Sequence, residues 1–164
     1  MTLQNKKTVY AALVGVLALM GGIFYYGNLD TVQIEQVEIE LTNVELIDVD
    51  TTNNQAKFNV TFLVKNPSDK TFTVPLIGYD LYGDGVLLGS GQYSTVDISM
   101  PGRAAFFPDT EIPLKNTFVL IKSEVNSEIY QDAIENRINS FSAEGIITTQ
   151  SSWMTLEKEF KTGF

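Results

Sequence analysis

Lys57-Phe58-Asn59-Val60-Thr61-Phe62-Leu63-Val64-Lys65-Asn66-Pro67 is the stretch that decides the fold. Phe58, Val60, Phe62 and Val64 fall on one side of an extended chain, and Lys57, Asn59, Thr61 and Lys65 on the other. Leu63 is the one exception. Successive side chains of a strand point to opposite faces, so this alternation predicts a half-buried strand with its apolar row inward. The strand stops at Asn66-Pro67, because proline has no N–H to give to a ladder.

Working outward, the same period recurs. Val37, Ile39 and Leu41 alternate with Glu38 and Glu40, and a second apolar run covers 44–49 before a polar loop at 50–55. The runs 74–82 and 86–90 flank Gly83-Asp84-Gly85, glycine-rich punctuation that predicts a hairpin. Further short strands are expected at 94–100, 104–107, 112–121, 141–149 and 154–160, with turns at Pro101-Gly102 and Pro108-Asp109. One helix breaks the pattern, expected over 123–140. Val125, Ile129, Ala133 and Ile134 form its apolar stripe, and Ser123 and Asn126 are its candidate caps. Many short antiparallel strands separated by turns predict a mainly β chain. The expected architecture is a small antiparallel β-sandwich of the immunoglobulin or fibronectin kind with one α-helix.

The first residues follow a different rule. Val9 to Tyr26 (VYAALVGVLALMGGIFYY) contains no charge, and as a helix it spans roughly 27 Å, close to the apolar thickness of a bilayer. Tyr10, Tyr25 and Tyr26 stand at its ends, where aromatic belts lie. The run is long, lacks a small-x-small exit and finishes on bulky residues, which favours an uncleaved anchor over a removed signal peptide. Lys6 and Lys7 should stay cytoplasmic. The expected organisation is a short cytoplasmic segment 1–8, a membrane anchor 9–26, a linker 27–31 and an extracytoplasmic domain 32–164. The lipid bilayer is thus one expected partner, through 9–26. Ala11, Gly15, Ala18 and Gly22 recur at helical spacing and line one stripe. Small residues allow close helix approach in lipid, so a protein partner or a second copy is expected to pack there.

Composition narrows the chemistry. The chain has no cysteine and no histidine, which removes disulfides, thiol nucleophiles, imidazole-based triads and nearly all protein-derived zinc and copper sites. All 20 acids follow Lys6 and Lys7, leaving 9 of the 11 bases against them, a net of −11 beyond the anchor. Such a surface repels phosphate backbones, so no nucleic-acid partner is expected. No glycine-rich loop joins a strand to a helix, so no nucleotide is expected either, and the reading includes no cofactor, no metal and no catalytic set.

Several residues are candidate sites. Asp48, Asp50 and Asn54 share a loop, but the EF-hand spacing fails and a solvated turn is expected. Asp80 and Asp84 are explained by the hairpin. Asn59-Val60-Thr61 is a glycosylation sequon, although a strand is a poor setting for it. Trp153 and the Phe106-Phe107 pair are expected to pack in the core rather than to mark a partner surface.

The segments Phe62-Leu63-Val64-Lys65-Asn66-Pro67, Val74-Pro75-Leu76, Tyr79-Asp80-Leu81, Asp84-Gly85 and Leu88-Gly89-Ser90-Gly91, taken in order, resemble a known pattern. It is that of the water-stress and hypersensitive-response (WHy) domain of the type-2 late-embryogenesis-abundant (LEA) proteins. Pro101-Gly102, Thr110-Glu111-Ile112-Pro113-Leu114 and Ala143-Glu144-Gly145 also fit, so the likeness covers roughly 32–160. Ser68-Asp69-Lys70 is more charged than the pattern leads one to expect. The resemblance implies a small β-sandwich with one helix, in several members behind an N-terminal membrane helix, and a stress-related role with no catalytic residues to carry over. The expectation is therefore a non-enzymatic module at the outer face of the cell membrane, binding or stabilising its surroundings. The alternative is a single-pass accessory subunit of a larger membrane complex, such as a membrane-bound oxidoreductase.

Overall fold

A computed structural model describes residues 3–96, 103–151 and 154–164, with side chains described at all of these except 3–5, 26 and 28–34. The expected strand beyond Val96, the Pro101-Gly102 turn and Trp153 lie outside the described residues. Among those described, a long helix α1 (Leu3–Ile34) precedes eight strands: β1 (Glu38–Asp50), β2 (Gln55–Lys65), β3 (Phe72–Gly83), β4 (Val86–Ser94), β5 (Ala105–Phe106), β6 (Glu111–Ile121), β7 (Phe141–Gln150) and β8 (Thr155–Gly163). A short helix α2 (Ser127–Ile134) lies between β6 and β7. The strands form two antiparallel sheets, β1-β2-β6 and β4-β3-β7-β8, with β5 added to β3. The chain is mainly β, a small sandwich behind an N-terminal apolar helix.

The deciding strand sits at the centre of the first sheet. Phe58, Val60, Phe62 and Val64 all face the second sheet, each no more than 2% exposed. Phe62 meets Tyr79 of β3 edge-on at 4.9 Å between ring centres and Phe160 of β8 at 5.8 Å, so one side chain touches two strands of the opposite sheet. Thr61 faces away as the alternation requires, yet it is buried rather than solvent-facing. Asn43 and Lys115 flank it on the neighbouring strands, and a central strand keeps water from a small side chain between two larger ones.

Where the sequence pattern stumbles, the ladder slips. The two apolar runs at 37–41 and 44–49 are one strand, β1, whose register shifts between Leu41 and Asn43 and again between Leu46 and Asp48. Each bulge inserts one residue and interrupts the alternation, which is why the strand reads as two. In β3 the inward set changes from Phe72 and Val74 to Ile77, Tyr79 and Leu81, with the shift between Thr73 and Leu76. Pro75 stands inside that irregularity, where a missing N–H costs least.

Two expectations about helices are corrected. α2 has 8 residues instead of the expected span 123–140. Of the two candidate caps, Asn126 holds the start, its side chain accepting from the Glu128 N–H. Asn136 stops it in a left-handed conformation (φ 54), with Asn136 N–H donating to Ala133 O and Arg137 N–H to Asp132 O, the paired bonds of a Schellman stop. Ile129, Tyr130 and Ala133 are its buried residues. The second correction concerns α1, which continues to Ile34 through the segment 27–31 read as a linker. No proline interrupts Gly27 to Ile34, and extending an existing helix costs far less than starting one. Only Glu35, Gln36 and Val37 separate α1 from β1, and Val37 is 1% exposed.

Candidate functional site

α1 is the first feature to account for. From Val9 to Tyr25 its large apolar side chains stand 57–75% exposed, so the sandwich covers none of them. Lys6–Tyr25 is long and apolar enough to cross a membrane. Ala11, Gly15 and Ala18 are exposed and Gly22 half-exposed, and a Cβ added at Gly15 or Gly22 would meet nothing within 4 Å.

The junction with the sandwich is tied down. Lys158 on β8 donates from its ammonium to the carbonyl oxygens of Glu35 (2.9 Å) and Val37 (2.7 Å). One turn or so further along, the Leu41 N–H donates to Thr162 Oγ1 at 3.1 Å. These bonds hold the first residues after the helix against the last strand of the other sheet.

Asn66 does more than end a strand. It is 1% exposed, and its side-chain amide donates to the carbonyls of Lys70 (2.7 Å) and Phe106 (2.9 Å) while its Oδ1 accepts from the N–H and hydroxyl of Ser68. Its own N–H donates to Thr110 O and its carbonyl accepts from Asp109 N–H. One amide thus joins the end of β2 to the loops before β3 and after β5.

Asp84 plays a similar part at the opposite end. Held at φ 47 in the β3–β4 turn, its carboxylate accepts from the N–H groups of Asn139 (3.1 Å) and Ser140 (3.0 Å) and from the Ser140 hydroxyl. The Asn139 N–H is the main cause holding the Asp84 carboxyl below the ordinary aspartate range. A lowered folded-state pKa contributes stability present above the unfolded value and lost as pH falls through the folded one. Asn tolerates the same left-handed backbone, so Asp84→Asn isolates the charge. The variant is expected to unfold at lower urea than the wild type at neutral pH, the two converging as pH drops below about 4. A difference that stays constant down to acid pH would assign the effect to something other than the carboxylate.

On the outer face of the larger sheet, Asp80 and Glu144 stand directly opposite each other across β3 and β7. Asp80 accepts from the Ser90 hydroxyl at 2.6 Å. Glu144 accepts from the Tyr82 hydroxyl at 2.7 Å and from the Lys161 ammonium at 2.9 Å, and these bonds, Lys161 first, hold its carboxyl below the ordinary range. The same Glu144 bond raises the Tyr82 phenol. Beside them Gly78 leaves an open groove of about 420 Å³, walled by Leu76, Ile146 and Thr148. A carboxylate with both oxygens engaged by strong donors is a poor proton acceptor, which disfavours Glu144 as a general base.

The remaining sequence candidates separate. Asp50 accepts from Thr52 N–H, Asn53 N–H and the Asn53 side chain, so its carboxylate is spent on its own turn. Asn59 lies mid-strand in β2, paired with Glu45 on one side and Thr117 on the other. The Phe106-Phe107 pair divides: Phe106 is fully buried and stacks on Phe72 at 5.3 Å, whereas Phe107 is 58% exposed. The expectation of core packing is corrected for Phe107, which the Thr110 N–H and hydroxyl hold in a turn through its carbonyl.

The residues behind the sequence resemblance share a structural task. Asn66 ties three segments, Asp84 clasps the turn before β7, and Gly91 lies under the Tyr79 ring, where any Cβ would collide with it. Tyr79 itself accepts from the Asn116 side chain at 2.8 Å across the sandwich, and burial raises its phenol. The motif therefore describes a scaffold. The sequence shows only a strand end at Asn66-Pro67, because nothing local marks a side chain that bonds to residues 4 and 40 positions away.

No protein-family model matches the chain, and no curated protein matches it. Solved structures do. The solution structure of AT1g01470 from Arabidopsis thaliana superposes with a TM-score of 0.51 at 13% identity, covering 77% of this chain and 80% of that one. The two share a fold. A protein from Archaeoglobus fulgidus gives 0.45 at 17% identity, over 76% of this chain and 96% of that one. A solution structure provisionally assigned as a LEA protein, At2g46140.1, gives 0.39 at 13% identity, over 99% and 87%. Scores below 0.5 add nothing to the assignment, and at these identities the likeness is one of fold alone.

Proposed function

We propose that this chain is a membrane-anchored, non-catalytic LEA/WHy-like module, held at the outer face of the cell membrane and acting there by binding or stabilising its surroundings. The observation that carries the reading is the uncovered apolar helix. A segment of this length with every large apolar side chain from Val9 to Tyr25 facing outward is costly in water and stable in lipid. The ordered motif from Phe62 to Gly91 supports the family, and the fold shared with AT1g01470 agrees with the small β-sandwich that the motif implies. The acid excess keeps the domain soluble.

Protease added to intact cells with the wall opened is expected to shave the domain from the membrane, since Lys6 and Lys7 remain inside. Complete protection, with cleavage only from the cytosolic side, would invert the orientation. Sequencing the mature N-terminus tests the anchor in the same preparation: a chain beginning near Tyr26 or Gly27 means a removed signal peptide. The accessory-subunit alternative uses the same anchor and sandwich, with the Ala11, Gly15, Ala18, Gly22 stripe against a partner helix. Native gels after gentle detergent extraction separate the two. A free monomer or small oligomer supports the module, and co-migration with fixed partners supports the subunit.

A further inference from the structure

The end of the sandwich nearest α1 is defined by the chain itself. β1 leaves the junction at Glu38, β2 returns beside it to Lys65, and β6 starts at Glu111 against Lys65. Asn66 bonds to Asp109 and Thr110, so the loop between β5 and β6 lies at this same end. Glu38, Pro67 and Asp109 line one groove there. Three residues separate this end from the helix, and Lys158, midway along β8, holds two of them, so this end lies close to where the helix stops.

That end presents apolar side chains. Phe107 projects from a turn closed by Thr110, with Asp109 left-handed at φ 58, and is backed by the fully buried Phe106. Val96, also 58% exposed, is tied to the same region through its carbonyl, which accepts from Arg103. Among the described residues here, Glu35, Glu38, Glu40, Asp69, Asp109, Glu111 and Glu157 outnumber Lys65, Lys70, Arg103 and Lys158. The end is acidic, so the layer it suits is a zwitterionic one rather than an anionic one.

The distances are compatible with contact. Beyond Tyr25, α1 continues for about 13 Å, and the headgroup layer takes up roughly 5–7 Å of that on each side of a bilayer. That leaves roughly 6–8 Å of helix between the headgroup layer and Ile34, short enough for the nearest turns of the sandwich to reach the layer. We propose that Phe107 is a second membrane contact, seating the base of the sandwich on the headgroup layer of the bilayer that holds α1. The proposal rests on the anchored reading above. An aromatic ring on a rigid turn loses little conformational freedom when it enters that layer.

The chain has no cysteine, so single-site labelling is clean. Leu17→Cys, Ile47→Cys and Pro108→Cys are each labelled with an environment-sensitive fluorophore in the full-length protein, reconstituted in phosphatidylcholine vesicles carrying nitroxide lipids. Ile47 is as exposed as Phe107 but lies near the far end of β1. Headgroup nitroxide is expected to quench the label at 108 about threefold or more above that at 47, and adding Phe107→Ser should bring 108 down toward 47. Equal quenching at 108 and 47, with strong acyl-chain quenching at 17, overturns the proposal and leaves the anchor standing. Quenching at 108 that ignores Phe107→Ser overturns the role given to Phe107. Absence of acyl-chain quenching at 17 removes the anchored reading and the proposal together.

Discussion

Replacing Phe62 with alanine is expected to lower the unfolding free energy by about 3–5 kcal/mol, one of the two largest effects of any single substitution discussed. The ring is fully buried and sits between Tyr79 and Phe160, so its loss opens a cavity that strands of both sheets border. Neighbouring strands cannot close in without disturbing two ladders. Thr61→Ala is the natural comparison, adjacent in sequence and also buried, but facing outward and giving up only a methyl and a hydroxyl. It should cost well under half as much. Urea titration of the detergent-solubilised chain, followed by circular dichroism, gives both values. Equal losses would mean that β2 is turned over by one residue.

Asn66→Leu is expected to cost about 3 kcal/mol or more, although leucine matches asparagine in size. The substitution leaves the carbonyl of Phe106 and the N–H and hydroxyl of Ser68 without the Asn66 amide in a buried site. Each stranded buried group costs roughly 1–3 kcal/mol, and nearby groups rarely find a replacement. Asn53→Leu, which removes an exposed amide bonded only within its own turn, should fall within about 0.5 kcal/mol of the wild type. A loss at Asn66 no greater than that at Asn53 would show that the loops are held by something other than this amide.

The legible part of the fold was the part governed by a single period. Phe58 to Val64 face the core because alternation on a central strand leaves no other arrangement, and the hairpin at Asp84-Gly85 follows from turn chemistry. The less legible parts were set by groups far apart in sequence or by one residue's backbone. The bulges in β1 hid one strand inside two apolar runs. Asn136 stopped α2 by turning left-handed, which an amphipathic count does not register. α1 overran its apolar segment because a helix needs no apolar residue to continue. Phe107 read as core because it follows Phe106, and only the turn to Thr110 separates them. The candidate features divide the same way. The apolar helix could be read directly, whereas the Asn66 hub and the base of the sandwich required distant loops to be brought together.

The two bulges in β1 also bear on crowding. Under the proposed anchoring, chains in one bilayer would share an orientation and their sheet edges would meet side on at the same height. An unbroken edge strand would then offer each neighbour a ready ladder. β1 is an edge of its sheet, but Thr42 and Ile47 fall at its two interruptions and Glu38, Glu40, Glu45 and Asp48 line it. A neighbour's strand could match it for only a few residues before losing step. The irregularity that obscured β1 in the sequence thus limits how far another strand could pair along this edge.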